Sequence, residues 1–103
     1  MYGLSDNAVE KINSVFSKYA KIEKAVLYGS RAKGNYKAAS DIDLTLYGRV
    51  TFPELLRIES ELDDLLLPWA IDLSIYEHIA NPALRDHIQR IGNVFYPLPV
   101  SRN

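Results

Sequence analysis

The sequence predicts a small α+β domain, and three observations lead to that prediction. Apolar residues recur at helical spacing in three segments, two further segments alternate strictly between apolar and polar residues, and glycine or proline turns separate them. The resulting order is helix, strand, short helix, strand, helix, strand, helix, which is typical of the α+β class. At 103 residues, the chain is expected to form one domain, 1–103, around one modest core.

The first elements are predicted from periodicity and turn signals. Residues 6–20 show apolar positions three and four apart, which indicates an amphipathic helix whose first turn Ser5 or Asp6 caps. Residues 25–28 are a short apolar run and are expected to form a buried strand. Residues 31–40 are small, basic and polar, so they are predicted to form a short helix or a loop.

The middle of the chain predicts a second strand followed by a long helix. Residues 41–47 alternate between apolar and polar side chains, as a strand with two different faces does. Thr51 and Glu54 have the spacing of a capping box, in which each side chain binds a free backbone donor of the other residue. The apolar helical pattern then continues to about residue 67.

The last third predicts a third strand and a final helix. Residues 70–76 alternate in the same way as the second strand. Asn81 and Pro82 are typical of a helix start, and Gly92 is a natural terminator. Residues 94–96 are read as a last short strand or as a packed tail, and the sequence leaves these two alternatives open.

Composition narrows the classes of function. The net charge is −1, so a general electrostatic attraction to nucleic acid or to a membrane surface is not expected. No apolar run approaches the roughly 20 residues that span a bilayer, and the first residues lack the pattern of a signal peptide. The chain contains no cysteine, which removes disulfides and thiolate zinc sites. We expect a cytoplasmic protein.

Three aspartates on the predicted strands are candidate metal ligands. Pleating places Asp41 and Asp43 on one face of their strand, about 6–7 Å apart, and Asp72 lies on the non-core face of the next strand. A divalent cation between such carboxylates removes their mutual repulsion, and oxygen-only sites suit magnesium. Three converging carboxylates could hold the two ions of a phosphoryl or nucleotidyl transfer. Seen alone, an Asp-x-Asp strand more often indicates only a solvated face.

A glycine–serine turn after the first strand is a candidate phosphate site. Gly29 allows close approach to the backbone, and the Ser30 hydroxyl and the following helix start can donate to an anion. Arg31 and Lys33 add positive charge beside it. Glycine–serine turns are common, so taken alone this segment is better interpreted as an ordinary turn with solvated basic side chains. Its functional value comes from its combination with the aspartates.

Together these residues read Gly29-Ser30, ten residues, then Asp41-x-Asp43, with Asp72 further on. That pattern resembles the signature of the DNA polymerase beta-type nucleotidyltransferase superfamily. The segments 27–34, 40–44 and 67–73 look like those of its minimal nucleotidyltransferases (MNT), and the resemblance is strongest over 25–76. It implies a small mixed β-sheet with helices packed on one face and ATP as substrate. It also implies Mg²⁺, with two ions, bound by Asp41, Asp43 and Asp72, and a triphosphate held by Gly29 and Ser30.

The same resemblance implies a biological role. Minimal members are commonly paired with a small all-helical HEPN protein as a toxin–antitoxin module, in which the nucleotidyltransferase is the antitoxin and transfers AMP to a tyrosine of its partner. Two alternatives stay open: a catalytically idle antitoxin that neutralises its partner by binding, and a nucleotidyltransferase acting on a small molecule or a tRNA end. A homodimer also remains open. His78 and His87 are expected to be surface or packing residues.

Overall fold

The computed structural model of the protein describes residues 1–98. In chain order, the elements are α1 (Asp6–Phe16), β1 (Ile22–Tyr28), α2 (Gly29–Lys33), β2 (Ile42–Gly48), α3 (Phe52–Asp63), β3 (Ile71–Ile75), a 3₁₀ turn (Tyr76–His78), α4 (Pro82–Ile91) and β4 (Asn93–Tyr96). The segment 94–96 therefore belongs to a strand rather than to a packed tail. None of the helices within the described part of the chain is long and apolar enough to cross a membrane.

The four strands of the described residues form one mixed sheet in the order β3-β2-β1-β4. Strand β1 lies antiparallel to both β2 and β4, whereas β2 and β3 are parallel. A parallel pair cannot be joined by a tight turn, and the connection between β2 and β3 runs through α3. The mixed α+β sheet expected from the sequence is confirmed.

The helices lie on both faces of this sheet. Helices α1 and α3 cover one face, where the core contains their side chains Ile12, Phe16 and Ile58 together with Leu27 and Leu44 of the sheet. Helix α4 lies on the opposite face, where a second, smaller cluster contains the side chains of Val26, Tyr28, Tyr76 and Ile88. The family resemblance implied helices on one face only. The difference arises because adjacent residues of β1 point to opposite faces and both sets are apolar.

Local sequence signals start three of the helices where expected. The Ser5 side chain accepts a hydrogen bond from the first turn of α1, so Ser5 rather than Asp6 is the cap. Thr51 and Glu54 form the predicted capping box at the start of α3. Asn81 caps α4, with Pro82 at the first helical position. These contacts satisfy backbone donors that have no partner inside the helix.

The ends of three elements differ clearly from the prediction. Helix α1 ends at Phe16 rather than at residue 20. Helix α3 ends at Asp63 although apolar residues continue the helical spacing, because Leu66 adopts a left-handed backbone with φ of 54°. Strand β1 begins at Ile22, before the apolar run, because its pairing with β2 continues through the exposed Lys24 to Ile22, past an irregularity at the exposed Glu23. Apolar patterning detects the buried part of a strand and misses a part that only its hydrogen bonds define.

Candidate active site

The turn between β1 and α2 begins at Gly29, in a conformation that favours glycine. Its φ is +75°, where a side chain would be strained. A Cβ atom at this position would also overlap Oδ2 of Asp43 on the neighbouring strand. The Gly29 backbone therefore lies directly against the Asp43 carboxylate, so the structure brings together the predicted turn and one of the predicted carboxylates. Ser30 follows, half-buried, in the first turn of α2.

Two of the three aspartates lie side by side on neighbouring strands. In the parallel pairing of β2 with β3, Asp43 is the direct partner of Asp72, and across β1 its partner is Tyr28. Directly paired residues point to the same face of a sheet, and neighbouring strands are about 4.8 Å apart. The three side chains therefore form one row on the face opposite to α1 and α3.

The charges in this row affect the protonation of Asp43. Partial burial raises the pKa of the Asp43 carboxyl above its usual value, and the negative charges of Asp72 and Asp41 raise it further. His87 acts on the Asp43 pKa in the opposite direction. Because these surroundings disfavour the ionised form of Asp43, a bound cation would stabilise it.

Asp41 is the outlying member of the predicted set. It is exposed and directly precedes the first residue of β2, although it is near enough to influence the Asp43 pKa. Within residues 1–98, no three histidine, aspartate or glutamate side chains stand close enough together to hold a metal ion. Magnesium typically binds one or two carboxylates together with substrate phosphates. Asp43 and Asp72, beside the Gly29 turn, fit that smaller requirement.

The next pair of residues on the same face forms a hydrogen bond between β2 and β3. Thr45 and Ser74 are direct partners on β2 and β3, and Ser74 Oγ donates a hydrogen bond of 2.9 Å to Thr45 Oγ1. Thr45 is completely buried, so this hydrogen bond satisfies a hydroxyl that water does not reach. The bond joins β2 to β3 two residues beyond the Asp43–Asp72 pair and stabilises the register that brings those aspartates together.

Tyr28 is a member of the site that the sequence analysis did not identify. Burial raises the pKa of its hydroxyl, the neighbouring Ser74 side chain lowers it, and the charges of Asp72 and Asp43 raise it again. The phenol therefore stays protonated and able to donate a hydrogen bond beside the two carboxylates. Its position immediately before Gly29, on a strand with alternating faces, is the sequence signal from which it could have been found.

Arg31, predicted to bind the nucleotide, has a different place in the structure. Its side chain is 2% exposed, and its guanidinium donates to the backbone carbonyls of Tyr2, Ala38 and Ser40 at 2.8–3.2 Å. It also lies over the rings of Tyr36 and Trp69. The assignment of Arg31 to the phosphates is therefore corrected: its donors hold the 36–40 loop to the body of the domain. Lys33 is exposed at the end of α2, and its role stays a prediction.

His87 lies at the site, although no pattern in the sequence predicted it there. It is half-buried on α4, and its Nε2 accepts a hydrogen bond of 3.2 Å from the Gly29 N–H. Its ring stands edge-on to Tyr28, with centroids 6.2 Å apart. The expectation that His87 is a surface or packing residue is therefore incomplete. His78 is exposed at the end of the 3₁₀ turn, as expected.

Comparison with known proteins shows what this chain is similar to. The chain is 39% identical over 54 residues to a protein of Methanocaldococcus jannaschii assigned as a protein adenylyltransferase; the match covers 52% of this chain and 54% of that protein. The chain thus spans about half the length of this curated relative.

Two solved structures have the same fold and are each covered over about three quarters of their length. One is a toxin–antitoxin with AMP-PNP (TM-score 0.68, 20% identity, 90% of this chain and 73% of that chain).

The other is a tri-AMPylated Shewanella oneidensis HEPN toxin in complex with MNT antitoxin (TM-score 0.65, 17% identity, 90% of this chain and 72% of that chain). At these identities, the two structures show a shared fold alone. The family described as polymerase beta, nucleotidyltransferase matches residues 10–98, which is most of the chain and includes the turn and all three aspartates. The chain belongs to the polymerase beta nucleotidyltransferase family.

Proposed function

We propose that this protein transfers AMP from ATP to a hydroxyl group, that the acceptor is a tyrosine of a small helical HEPN-type partner, and that the protein thereby acts as an antitoxin. One observation supports this proposal most directly: Asp43 and Asp72 are register partners, and Gly29 lies against Asp43. A phosphate-binding turn and a carboxylate pair in contact are what the transfer of a nucleotidyl group requires.

The residues have separate tasks in this reaction. The Ser30 hydroxyl holds the triphosphate, Gly29 lets the phosphates approach the backbone closely, and the exposed Lys33 adds positive charge at the end of the same helix. The acceptor oxygen forms a bond to the α-phosphorus, and the bond from that phosphorus to the bridging oxygen breaks, so pyrophosphate leaves. Asp72, exposed on the edge strand, receives the proton of the acceptor hydroxyl.

Asp43 and Asp72, with the outlying Asp41 near Asp43, are the residues that would hold divalent metal. Magnesium bound there supplies positive charge that offsets the charge of the phosphates. The pKa of the Asp43 carboxyl is raised first by partial burial and then by the two neighbouring carboxylates, whose negative charge a bound cation would offset. Two ions bound by all three aspartates remain a proposal.

The acceptor is proposed to come from a second protein because the site is open. Asp72 is exposed, and two hollows among the described residues lie elsewhere: one of about 140 Å³ beside Val9 and Leu98, the other of about 170 Å³ beside Leu62 and Trp69. Ligand pockets usually have a volume of about 300–1,000 Å³. The names of both solved neighbours describe toxin–antitoxin complexes, one with an AMPylated HEPN toxin. A reaction that consumes ATP with such a partner is expected in the cytoplasm.

The test incubates the protein with labelled ATP, magnesium and the protein that co-purifies with it. We expect label on a tyrosine of a small helical companion. Transfer should be lost with Asp41→Asn combined with Asp43→Asn. The matched control is Asp63→Asn with Asp64→Asn, two exposed aspartates at the end of α3, which should transfer normally. Absence of label, or equal transfer by both double variants, would refute the proposal.

A second function, a catalytically idle antitoxin, is favoured by one observation: the described residues contain no assembled group of three metal-binding side chains. In that case, neutralisation needs only complex formation. Co-expression of the partner with the Asp41→Asn, Asp43→Asn variant separates the two functions. Growth restored as fully as by the wild-type protein indicates neutralisation by binding, whereas failure to restore growth with the complex intact indicates catalysis.

A further inference from the structure

His87 connects α4 to the turn that begins α2. Its Nε2 accepts the Gly29 N–H at 3.2 Å, and its ring packs edge-on against Tyr28, the residue before the turn. Gly29 is the first residue of α2, so its amide has no acceptor inside the helix. The imidazole supplies that acceptor from a residue 58 positions away in the sequence.

Helix α4 holds the imidazole in place. Arg85 Nη1 donates to the carbonyl oxygens of Tyr76 and Ile79 at 3.1 Å, and the Arg85 guanidinium lies over the Tyr76 ring. Gln89 Nε2 donates to the Tyr76 hydroxyl at 2.6 Å. Arg85 and Gln89 flank His87 on the same helix, so these contacts fix the part of α4 from which the imidazole reaches the turn.

We propose that His87 is a positioning residue of the nucleotide site. It holds the Gly29 backbone in the left-handed conformation and thereby keeps the phosphate-binding turn against Asp43 before ATP arrives. This inference rests on the proposed function, since it assumes that the turn binds the triphosphate of ATP.

The physical reason is the freedom of glycine. Gly29 populates several backbone conformations in the absence of other contacts, and its lack of a side chain leaves only its backbone groups to restrain it. An acceptor aimed at its N–H selects one of these conformations. A binding site that is ordered beforehand loses less entropy when the ligand binds, so its affinity for the ligand is higher. The expected effect of His87 is therefore on ATP binding rather than on the chemical step.

Two substitutions separate the hydrogen bond from the ring packing. His87→Phe keeps an aromatic ring beside Tyr28 but has no acceptor, whereas His87→Gln places an amide oxygen near the position of Nε2 without a ring. ATP affinity is measured by titration of the full-length protein with a fluorescent ATP analogue and magnesium. The KM for ATP and kcat are measured in the AMP-transfer assay. Thermal unfolding of each variant monitors the fold.

We expect His87→Phe to weaken ATP binding and raise its KM about three- to tenfold, the range that loss of one hydrogen bond produces. Its kcat at saturating ATP should be unchanged, and His87→Gln should bind ATP within about twofold of the wild-type protein. Unchanged or tighter binding by His87→Phe, or a Gln variant as weak as the Phe variant, would overturn the inference. Hydrogen exchange at the Gly29 amide of the wild-type protein tests it independently of any variant: fast exchange contradicts it.

The outcomes also distinguish this inference from the proposed function. If the wild-type protein binds ATP and transfers AMP while both His87 variants match it, the positioning role alone is wrong. If the wild-type protein binds no ATP, the proposed function fails, and the role of His87 fails with it.

Discussion

Replacing Arg31 with methionine is expected to destabilise the fold without acting directly on nucleotide binding. The Arg31 guanidinium is buried and donates four hydrogen bonds to three backbone carbonyls. Within residues 1–98, the ion pairs join other side chains, so the carbonyls and two aromatic rings surround its charge. Methionine keeps most of the volume and removes every donor.

The magnitude follows from these contacts. A buried carbonyl left without a donor costs about 1–3 kcal/mol. The 38–40 loop is at least partly exposed, so water can replace some of the lost donors, and removal of a buried charge also removes its desolvation cost. The net loss should be about 2–4 kcal/mol, a large part of the roughly 5–15 kcal/mol by which a domain is stable.

Urea unfolding followed by circular dichroism measures this loss. With a slope of about 1.5 kcal/mol per molar, the midpoint should fall by roughly 1–3 M. Lys33→Met, an exposed residue of the same short helix, is the matched control and should change stability by less than about 0.5 kcal/mol. A variant of Arg31 that unfolds like the wild-type protein but binds ATP poorly would refute this reasoning and restore Arg31 to the nucleotide site.

Three further perturbations test the site and the fold. Gly29→Ala should lower the free energy of unfolding by about 1–3 kcal/mol and abolish AMP transfer, because φ is +75° and the new methyl group would displace Asp43; equal transfer by this variant would contradict the contact. Asp43→Asn should stabilise the metal-free protein near neutral pH. The pKa of Asp43 is raised in the folded state, so protonation of Asp43 favours folding. This contribution to stability is complete below the unfolded pKa of about 3.9 and is lost as pH rises through the folded-state pKa. The advantage of Asn over Asp should therefore vanish in acid. Magnesium should raise the melting temperature of the wild-type protein only; an equal rise in Asp43→Asn would argue against metal at this carboxylate. Thr51→Ala removes the capping box and should cost about 1 kcal/mol in urea unfolding, with a change near zero as the contrary result.

Local features of the fold were predictable because they depend on residues close together in the sequence. The capping box of Thr51 and Glu54 needs only a spacing of three and formed as predicted. The alternation in 41–47 correctly placed Asp43 on the face away from the α1 and α3 core, because strand side chains alternate with a period of two. Helix ends were less predictable, since the left-handed turn at Leu66 interrupts an apolar pattern that continues past it.

The structural role of Arg31 could not be predicted from the sequence. A basic residue beside a glycine–serine turn has the chemistry for phosphate binding, and spacing alone does not show where a long side chain points. The carbonyls of Tyr2, Ala38 and Ser40 meet around the guanidinium only after the first residues and the 36–40 loop have packed together. The guanidinium of Arg31 is then buried between these two segments.

The sequence by itself determined the class of elements, their order, and the family signature in Gly29, Ser30 and the three aspartates, because each depends on short spacings and side-chain chemistry. Only the tertiary structure decided that Asp43 pairs with Asp72, that α4 packs on the same face as these carboxylates, and that His87 reaches Gly29. These relations join segments distant in the chain. Strand register and helix packing set them, and both follow from burial of the whole set of apolar surfaces rather than from any local pattern.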